Sequence, residues 1–172
     1  MDHLKRWIRE IPDFPKAGIL FRDITPMLKD PKVFSEVIHS LSDRYREMKI
    51  DKILAMESRG FIYATPLACA INVGFVPLRK PGKLPHDTIS VSYSLEYGEA
   101  TIEVHKDAVK PGERVLIMDD LLATGGTAAA AVELARKLGG EIVEVGFIIE
   151  LAGLRGRDKL ADVPVYSMVS YD

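Results

Sequence analysis

Short, continuously apolar segments alternate with helical patterns along most of this chain, and this alternation limits the fold more than any other feature. Residues 52–56, 75–78, 115–118 and 142–149 are predicted as strands on this basis. Strands that lack a polar face are typical of parallel sheets that helices cover on both sides. The sequence therefore predicts the α/β class, with a parallel sheet flanked by helices.

The helical patterns lie between these strands. After Asp30, an N-cap residue followed by proline, apolar residues recur with helical spacing as far as Met48. Further helices are predicted over residues 61–71 and 128–138, and two β segments within residues 89–104 indicate a hairpin. Because no repeat, low-complexity tract or flexible linker divides the 172 residues, we expect one domain.

Charge and composition exclude several classes of function. The 23 basic side chains do not outnumber the 25 acidic ones, so the chain lacks the basic excess of a nucleic-acid-binding protein. No apolar run approaches the ~20 residues of a membrane span, and residues 1–10 lack the apolar core of a signal peptide. We therefore expect a cytoplasmic protein that binds a small molecule, and neither nucleic acid nor a membrane.

The single cysteine, Cys69, excludes an internal disulfide and a cysteine metal cluster. It lies in an apolar stretch, and free cysteines are commonly buried, so we expect an inert core residue. The four histidines lack the spacing of metal ligands and are predicted on the surface or in loops.

The most informative segment, residues 115–127, combines a buried strand, two adjacent carboxylates, a glycine turn and the start of a helix. Ligands of open α/β sheets bind at such carboxyl ends of strands. The glycines let the backbone approach an anion, and the N–H groups that open the helix suit a monoester phosphate. Neighbouring carboxylates repel each other, so their placement side by side is easier to explain if they bind sugar hydroxyls or help to hold a divalent cation. The predicted ribose-phosphate ligands are Asp119, Asp120, Ala123, Thr124, Gly125, Gly126 and Thr127.

Two ordinary explanations compete with this hypothesis. The glycine pair could form a tight strand-to-helix turn, and the acidic pair could be an N-terminal capping cluster. The segment lacks the lysine of a P-loop and the glycine spacing of a dinucleotide fingerprint, so neither nucleotide motif explains it. The combination of features favours a phosphoribose site.

Residues 115–127 resemble the phosphoribosylpyrophosphate-binding signature of the type I phosphoribosyltransferases. From about residue 11 onward, the chain resembles the adenine-specific members of this family in particular. The resemblance implies the fold of that family, in which one domain, here residues 1–172, carries a flexible β hairpin and a small N-terminal hood, here residues 1–30. Further segments that carry the resemblance are residues 12–15, 21–26, 57–61, 79–85, 93–98 and 150–154.

The resemblance also implies an activity. The protein would be a purine salvage enzyme, a glycosyltransferase that converts adenine and 5-phosphoribosyl 1-pyrophosphate to AMP and pyrophosphate with Mg²⁺ as cofactor. The substrate would hold most of the Mg²⁺ coordination sphere, with Asp119 or Asp120 as a further ligand. Members of the family are usually homodimers, so we expect a homodimer.

Roles for other residues come from chemistry and from the resemblance together. Basic side chains at turns suit the departing diphosphate, and Glu96, at the hinge between the two β segments, matches the catalytic glutamate of the family. Glu99 and Glu103 are competitors that match less well. The predicted pyrophosphate ligands are Ser58, Arg59, Arg79, Lys80 and Lys83, and the predicted adenine ligands are Leu20, Phe21, Arg22 and Leu151.

Alternatives stay open at this point. Arg59 could form a surface salt bridge, and Phe21 could belong to the core. The basic loop, which carries Arg79, Lys80 and Lys83, could be a solvated turn. The whole chain could act on another base, such as a 6-oxopurine or orotate, because the phosphoribose site is shared within the family. A nucleotide-sensing regulator of nucleic acid is the rival from another class, although no basic face supports it.

Overall fold

The computed structural model describes residues 1–94 and 98–172, and the predicted catalytic residue Glu96 lies outside them. The described strands are β1 (Arg9–Pro12), β2 (Leu20–Asp23), β3 (Lys52–Met56), β4 (Gly74–Leu78), β5 (Thr88–Ser94), β6 (Glu99–His105), β7 (Arg114–Leu122), β8 (Glu141–Leu151) and β9 (Val165–Tyr171). The described α-helices are α1 (Thr25–Lys29), α2 (Pro31–Tyr45), α3 (Arg59–Ile71) and α4 (Gly126–Lys137). Three 3₁₀ segments complete these elements, at Asp2–Trp7, Ala152–Leu154 and Gly156–Leu160.

A parallel sheet of five strands, in the order β4-β3-β7-β8-β9, forms the centre of the molecule. Successive side chains of β3 belong to opposite faces, because Ile53 and Ala55 pack in one core cluster and Leu54 and Met56 in the other. Helices α2 and α3 contribute to the first cluster, whereas α4 contributes to the second. The predicted α/β class and the flanked parallel sheet are confirmed.

Strand β7 is longer than the sequence pattern predicts. The apolar run ends at Met118, but the strand continues to Leu122, so Asp119 and Asp120 lie within it. Pairing with β8 explains the extension, since Asp119 lies opposite Phe147 in this parallel register. The carboxylates are therefore held by a sheet rather than by a loop.

The other predicted elements agree with the structure to within a few residues, except at the chain ends. Asp30 caps α2, and its carboxylate accepts hydrogen bonds from the N–H groups of Lys32 and Val33 at 3.0 and 3.1 Å. The helix ends at Tyr45, before the predicted limit at Met48. Strand β9 was not predicted, and it pairs with β8 at the edge of the sheet.

Two antiparallel hairpins are attached to the sheet. Strands β5 and β6 pair from Thr88 opposite His105 to Ser94 opposite Glu99, as the two predicted β segments require. Strands β1 and β2 pair within the N-terminal segment that was predicted as a hood. Among the described residues, no helix is long and apolar enough to cross a membrane.

The prediction for Cys69 is wrong, because this residue is exposed. Its helix, α3, buries Tyr63, Ala64, Leu67 and Ala68, which recur with helical spacing on one face. Cys69 follows this face by one residue and therefore points away from the core. The apolar neighbours in sequence gave no information about which side of the helix the thiol occupies.

Candidate active site

A cavity of about 960 Å³ opens at the carboxyl ends of β3 and β7, where the β5-β6 hairpin contributes further walls. Parallel sheets of this type place their ligand sites at this edge. The residues that line it are Met56, Glu57, Ser58, Arg59, Arg79, Lys80, Pro81, Lys83, Tyr93, Glu99, Ala100, Thr101, Ile102, Asp119, Asp120 and Thr127. The five predicted pyrophosphate ligands are all among them.

A smaller cavity, of about 80 Å³, is formed by residues 121–128 together with Asp119 and Phe147. Asp119 and Thr127 line both cavities, so the two spaces adjoin each other. Every residue predicted to bind the ribose phosphate therefore borders one cavity or the other.

The two members of the acidic pair differ in exposure, since Asp120 is buried and Asp119 is half-buried. Asp120 is 3% exposed, and its Oδ2 lies 2.8 Å from Nε of Arg59, while its own backbone N–H donates to Oδ1 of Asp119 at 2.9 Å. Burial, and after it the neighbouring charge of Asp120, raise the pKa of Asp119 well above its usual range. A second buried charge is costly in this position, so hydroxyl groups or a cation that share its charge would stabilise it.

The predicted phosphate loop, residues 123–127, continues into the first turn of α4. Gly125 has φ of 77°, a conformation that glycine adopts without steric cost, and the helix begins at the next residue. The first N–H groups of α4 have no partner within the helix and therefore suit an anion. The loop has the geometry of a phosphate site.

Tyr93 of β5 also contributes to this loop, although no role is predicted for it from the sequence. The Thr127 hydroxyl donates to the Tyr93 hydroxyl at 3.0 Å, and the tyrosine ring faces Gly126 so closely that a Cβ there would lie 3.3 Å from Cδ2. The hairpin is thus joined to the start of α4. A long-range contact of this kind leaves no signal in local sequence.

The basic side chains differ in how they are held. Arg79 Nε lies 2.8 Å from Oε2 of Glu57, whose other oxygen accepts from the backbone N–H of Lys80 at 2.8 Å. Burial alone would raise the pKa of Glu57, but these two donors lower it below its usual value. The peptide bond between Glu57 and Ser58 is cis. Lys83 and the Lys80 side chain are exposed at the rim of the cavity.

The predicted adenine ligands lie elsewhere, since none of the four borders either cavity. Arg59 extends over the ring of Phe21, at 5.6 Å from its centre, and thereby connects the hood to the acidic pair. The Arg22 guanidinium stacks on Tyr171 at 3.8 Å and forms an ion pair with Glu10. Leu20 is exposed and Leu151 is half-buried, so the roles of these four residues in base binding stay predictions.

Replacing Gly60 by alanine is expected to weaken substrate binding and catalysis. A Cβ at Gly60 would lie 3.0 Å from the Met118 carbonyl oxygen and 3.1 Å from Oδ1 of Asp119, which is tighter than ordinary contact. The start of α3 or the end of β7 must shift, and we expect kcat/KM to fall about tenfold. Steady-state kinetics measure this effect.

Gly153→Ala is the matched control for this substitution. Within the described part of the chain, a Cβ at Gly153 would approach only the backbone carbon of Asp172, at an ordinary 3.7 Å. Its kinetics should stay close to those of the unmodified protein. Equal kcat/KM for the two variants would contradict the tight fit between α3 and β7.

Comparison with known proteins covers the whole chain. A family model described as a phosphoribosyl transferase domain matches residues 25–169. An adenine phosphoribosyltransferase of Halothermothrix orenii is 57% identical over 166 residues, which cover 96% of this chain and 98% of that protein. The crystal structure of adenine phosphoribosyltransferase from Thermoanaerobacter pseudethanolicus has a TM-score of 0.96 and 51% identity, and the match covers 99% of each chain. The Saccharomyces cerevisiae enzyme, complexed with an imino-altritol bisphosphate and adenine, has a TM-score of 0.92 and 42% identity, with coverage of 98% of this chain and 97% of its own.

Proposed function

The chain belongs to the adenine phosphoribosyltransferases of the phosphoribosyl transferase family, and we propose that the two adjoining cavities are where it carries out its reaction. The enzyme converts adenine and 5-phosphoribosyl 1-pyrophosphate to AMP and pyrophosphate, a reaction of purine salvage. One observation carries the assignment of the site: the predicted sugar, phosphate and diphosphate ligands all surround cavities that share Asp119 and Thr127.

The smaller cavity suits the 5-phosphate, and the carboxylates beside it suit the ribose. Backbone N–H groups of the loop and of the first turn of α4 would donate to the phosphate oxygens. Asp119 and Asp120 would accept hydrogen bonds from the two vicinal hydroxyls of the sugar. This arrangement holds the anomeric carbon towards the larger cavity, where the bond to pyrophosphate breaks and the bond to N9 of adenine forms.

The basic residues of the larger cavity suit the departing diphosphate. Arg59 is 38% exposed, so it can donate to a diphosphate oxygen while its Nε pairs with Asp120. Lys80 and Lys83 place ammonium groups at the rim, and the Arg79 guanidinium is oriented by Glu57. Positive charge close to the leaving group stabilises the charge that it gains in the transition state.

We propose Mg²⁺ as the cofactor, held mainly by the substrate. Among residues 1–94 and 98–172, no group of three or more His, Cys, Asp or Glu side chains could hold a metal by itself. Mg²⁺ commonly binds through one or two carboxylates and substrate phosphates, and Asp119 or Asp120 fits that donor set. When bound, the ion would neutralise part of the diphosphate charge.

Adenine is proposed to bind under the hood, through Leu20, Phe21, Arg22 and Leu151. A pocket for an amino group and ring nitrogens can use backbone N–H and C=O groups, so the engaged Arg22 side chain does not conflict with a backbone contact. Glu96 would act as general acid or base on the purine ring, which loses its N9 proton on transfer. A cytoplasmic homodimer remains our prediction for the assembly and the location, to be tested by sedimentation and fractionation.

The purified protein should form AMP and pyrophosphate from adenine and 5-phosphoribosyl 1-pyrophosphate when Mg²⁺ is present. Hypoxanthine, guanine, xanthine and orotate, each offered alone, should give little product. Removal of the metal with EDTA should reduce the rate to background, and added Mg²⁺ should restore it. Chromatographic measurement of nucleotide and pyrophosphate checks all three expectations.

Each other outcome of this experiment would correct a different part of the proposal. Product from a 6-oxopurine but not from adenine would overturn the assignment of the hood. Full activity in EDTA would exclude Mg²⁺ as cofactor. Absence of turnover with every base, together with salt-sensitive binding of a specific nucleic acid, would favour the regulator instead.

A further inference from the structure

Residues 155–157 pass directly behind the phosphate loop. A Cβ added to Gly125 would overlap the carbonyl oxygen of Gly156, and a Cβ added to Gly156 would overlap the carbonyl oxygen of Ala123 and lie 3.1 Å from the Gly125 backbone nitrogen. The two backbones therefore touch without any side chain between them. A displacement of Gly156 would allow the loop to move with it.

Gly156 is buried between two exposed residues, with one apolar side chain from β7 close to it, since Cδ1 of Leu122 would lie 2.8 Å from a Cβ added there. Its neighbours Arg155 and Arg157 are both exposed, whereas Gly156 itself is buried. The next buried residue along the segment is Leu160, four positions later. Leu160 is part of the core cluster that includes residues of α4. Because apolar contacts are not directional, a hydrogen-bonded attachment beside Gly156 would add the orientation that they lack.

The Arg157 side chain provides that attachment. Its Nε and Nη2 donate to the two carboxylate oxygens of Glu150, each at 2.7 Å, in the bidentate geometry that gives a strong and directional pair. Nη1 also donates to the Val165 carbonyl oxygen at 3.0 Å, and Nη2 lies 3.3 Å from the Ser167 hydroxyl. One guanidinium thus connects the segment to the last two strands of the sheet.

Glu150 is well suited to anchor this contact. It lies near the end of β8 and is only 7% exposed, so its carboxylate has little access to water. The hydrogen bonds from Arg157 hold its pKa below the usual value, and the contact with Ser167 acts in the same direction. The carboxylate is therefore charged and fixed when it receives the guanidinium.

We propose that Arg157 is a positioning residue, which holds Gly156 against residues 123–125 and thereby fixes the phosphate loop in the shape that receives the 5-phosphate of the substrate. Arg157 contacts neither cavity, and its effect is transmitted through the backbone of Gly156. The proposal rests on the function proposed for the loop. It adds a determinant of affinity for the phosphorylated sugar from outside the binding residues.

Arg157→Ala is expected to raise the KM for 5-phosphoribosyl 1-pyrophosphate about tenfold, since small displacements of a positioned group have effects of this size. The KM for adenine, measured at saturating phosphoribosyl donor, and kcat should change much less. Arg157→Lys retains the positive charge but not the paired N–H donors of the guanidinium, and should recover part of the affinity for 5-phosphoribosyl 1-pyrophosphate. Asp158→Asn is the matched control, because it removes an exposed ion pair with Arg155 from the same turn and should leave the kinetics unchanged.

Calorimetric titration with ribose 5-phosphate separates this proposal from the function on which it rests, because it requires no turnover. The titration should show about tenfold weaker binding to Arg157→Ala than to the unmodified protein. If the unmodified protein binds the sugar phosphate but forms no nucleotide, the proposed function fails and the comparison still tests the positioning role. Glu150→Gln provides a second variant if Arg157→Ala does not fold. Unchanged affinity in a folded variant, with only the melting temperature lowered, would overturn the proposal.

Discussion

Replacing both Asp119 and Asp120 by asparagine is expected to lower kcat/KM for 5-phosphoribosyl 1-pyrophosphate by about 100-fold or more. A hydrogen bond to a charged group contributes about 1.5 to 3 kcal/mol, and each carboxylate would lose one such bond to a ribose hydroxyl. Because asparagine keeps the shape of the side chain, the loss reports charge and acceptor strength rather than volume. Steady-state kinetics at fixed, saturating adenine and Mg²⁺ measure it.

The stability of this double variant distinguishes a binding role from a structural one. The pKa of Asp119 is raised because its charge is costly in the folded protein, so the neutral amide should not lower the melting temperature. Arg59 loses its partner, but its partial exposure allows water to replace the carboxylate. Asp162→Asn, which removes an exposed ion pair with Arg136, is the control and should leave kcat/KM unchanged. Unchanged kinetics in the double variant would contradict the assignment of the ribose site.

Local sequence was sufficient for the parts of this fold that depend on local chemistry. The Asp30 cap, the apolar strand at residues 52–56 and the turn at Gly125 each depend on neighbouring residues, and each is present in the structure. The acidic pair and the phosphate loop were identified for the same reason, because a strand end, a glycine turn and a helix start are adjacent in the chain. Together they place the site at one edge of the sheet.

The features that escaped prediction depend on contacts between distant segments. Strand β7 continues through its carboxylates only because β8 lies beside it, and Tyr93 meets Thr127 only when the hairpin folds over α4. The Arg22 guanidinium stacks on Tyr171, near the other end of the chain, and no local pattern indicates this contact. A pattern within one segment identifies which residues carry functional groups suited to binding or catalysis. The packing of other segments decides which atoms each of these groups contacts.

Replacing Glu96 by glutamine is expected to lower kcat by about 100- to 10,000-fold, the range associated with loss of a general acid or base. The KM values should change little, because the group would act on the proton of the purine and not on substrate affinity. Glu96 lies outside the described residues, so this prediction comes from the sequence and from its position between β5 and β6. Single-turnover measurements would show whether the chemical step itself is slowed.

Two other glutamates of the hairpin, Glu99 and Glu103, serve as comparisons for Glu96. Oε2 of Glu103 accepts a hydrogen bond from the backbone N–H of Gly82 at 3.2 Å. This contact gives Glu103 a structural role, because it holds the basic loop. Glu99 lines the larger cavity, so it is a stronger competitor than the sequence alone suggested. If Glu96 transfers the proton, Glu96→Gln alone should remove one limb of the dependence of kcat on pH, while Glu99→Gln retains it. The opposite result would assign the proton transfer to Glu99, which among the described residues is the carboxylate of the hairpin that lines the larger cavity.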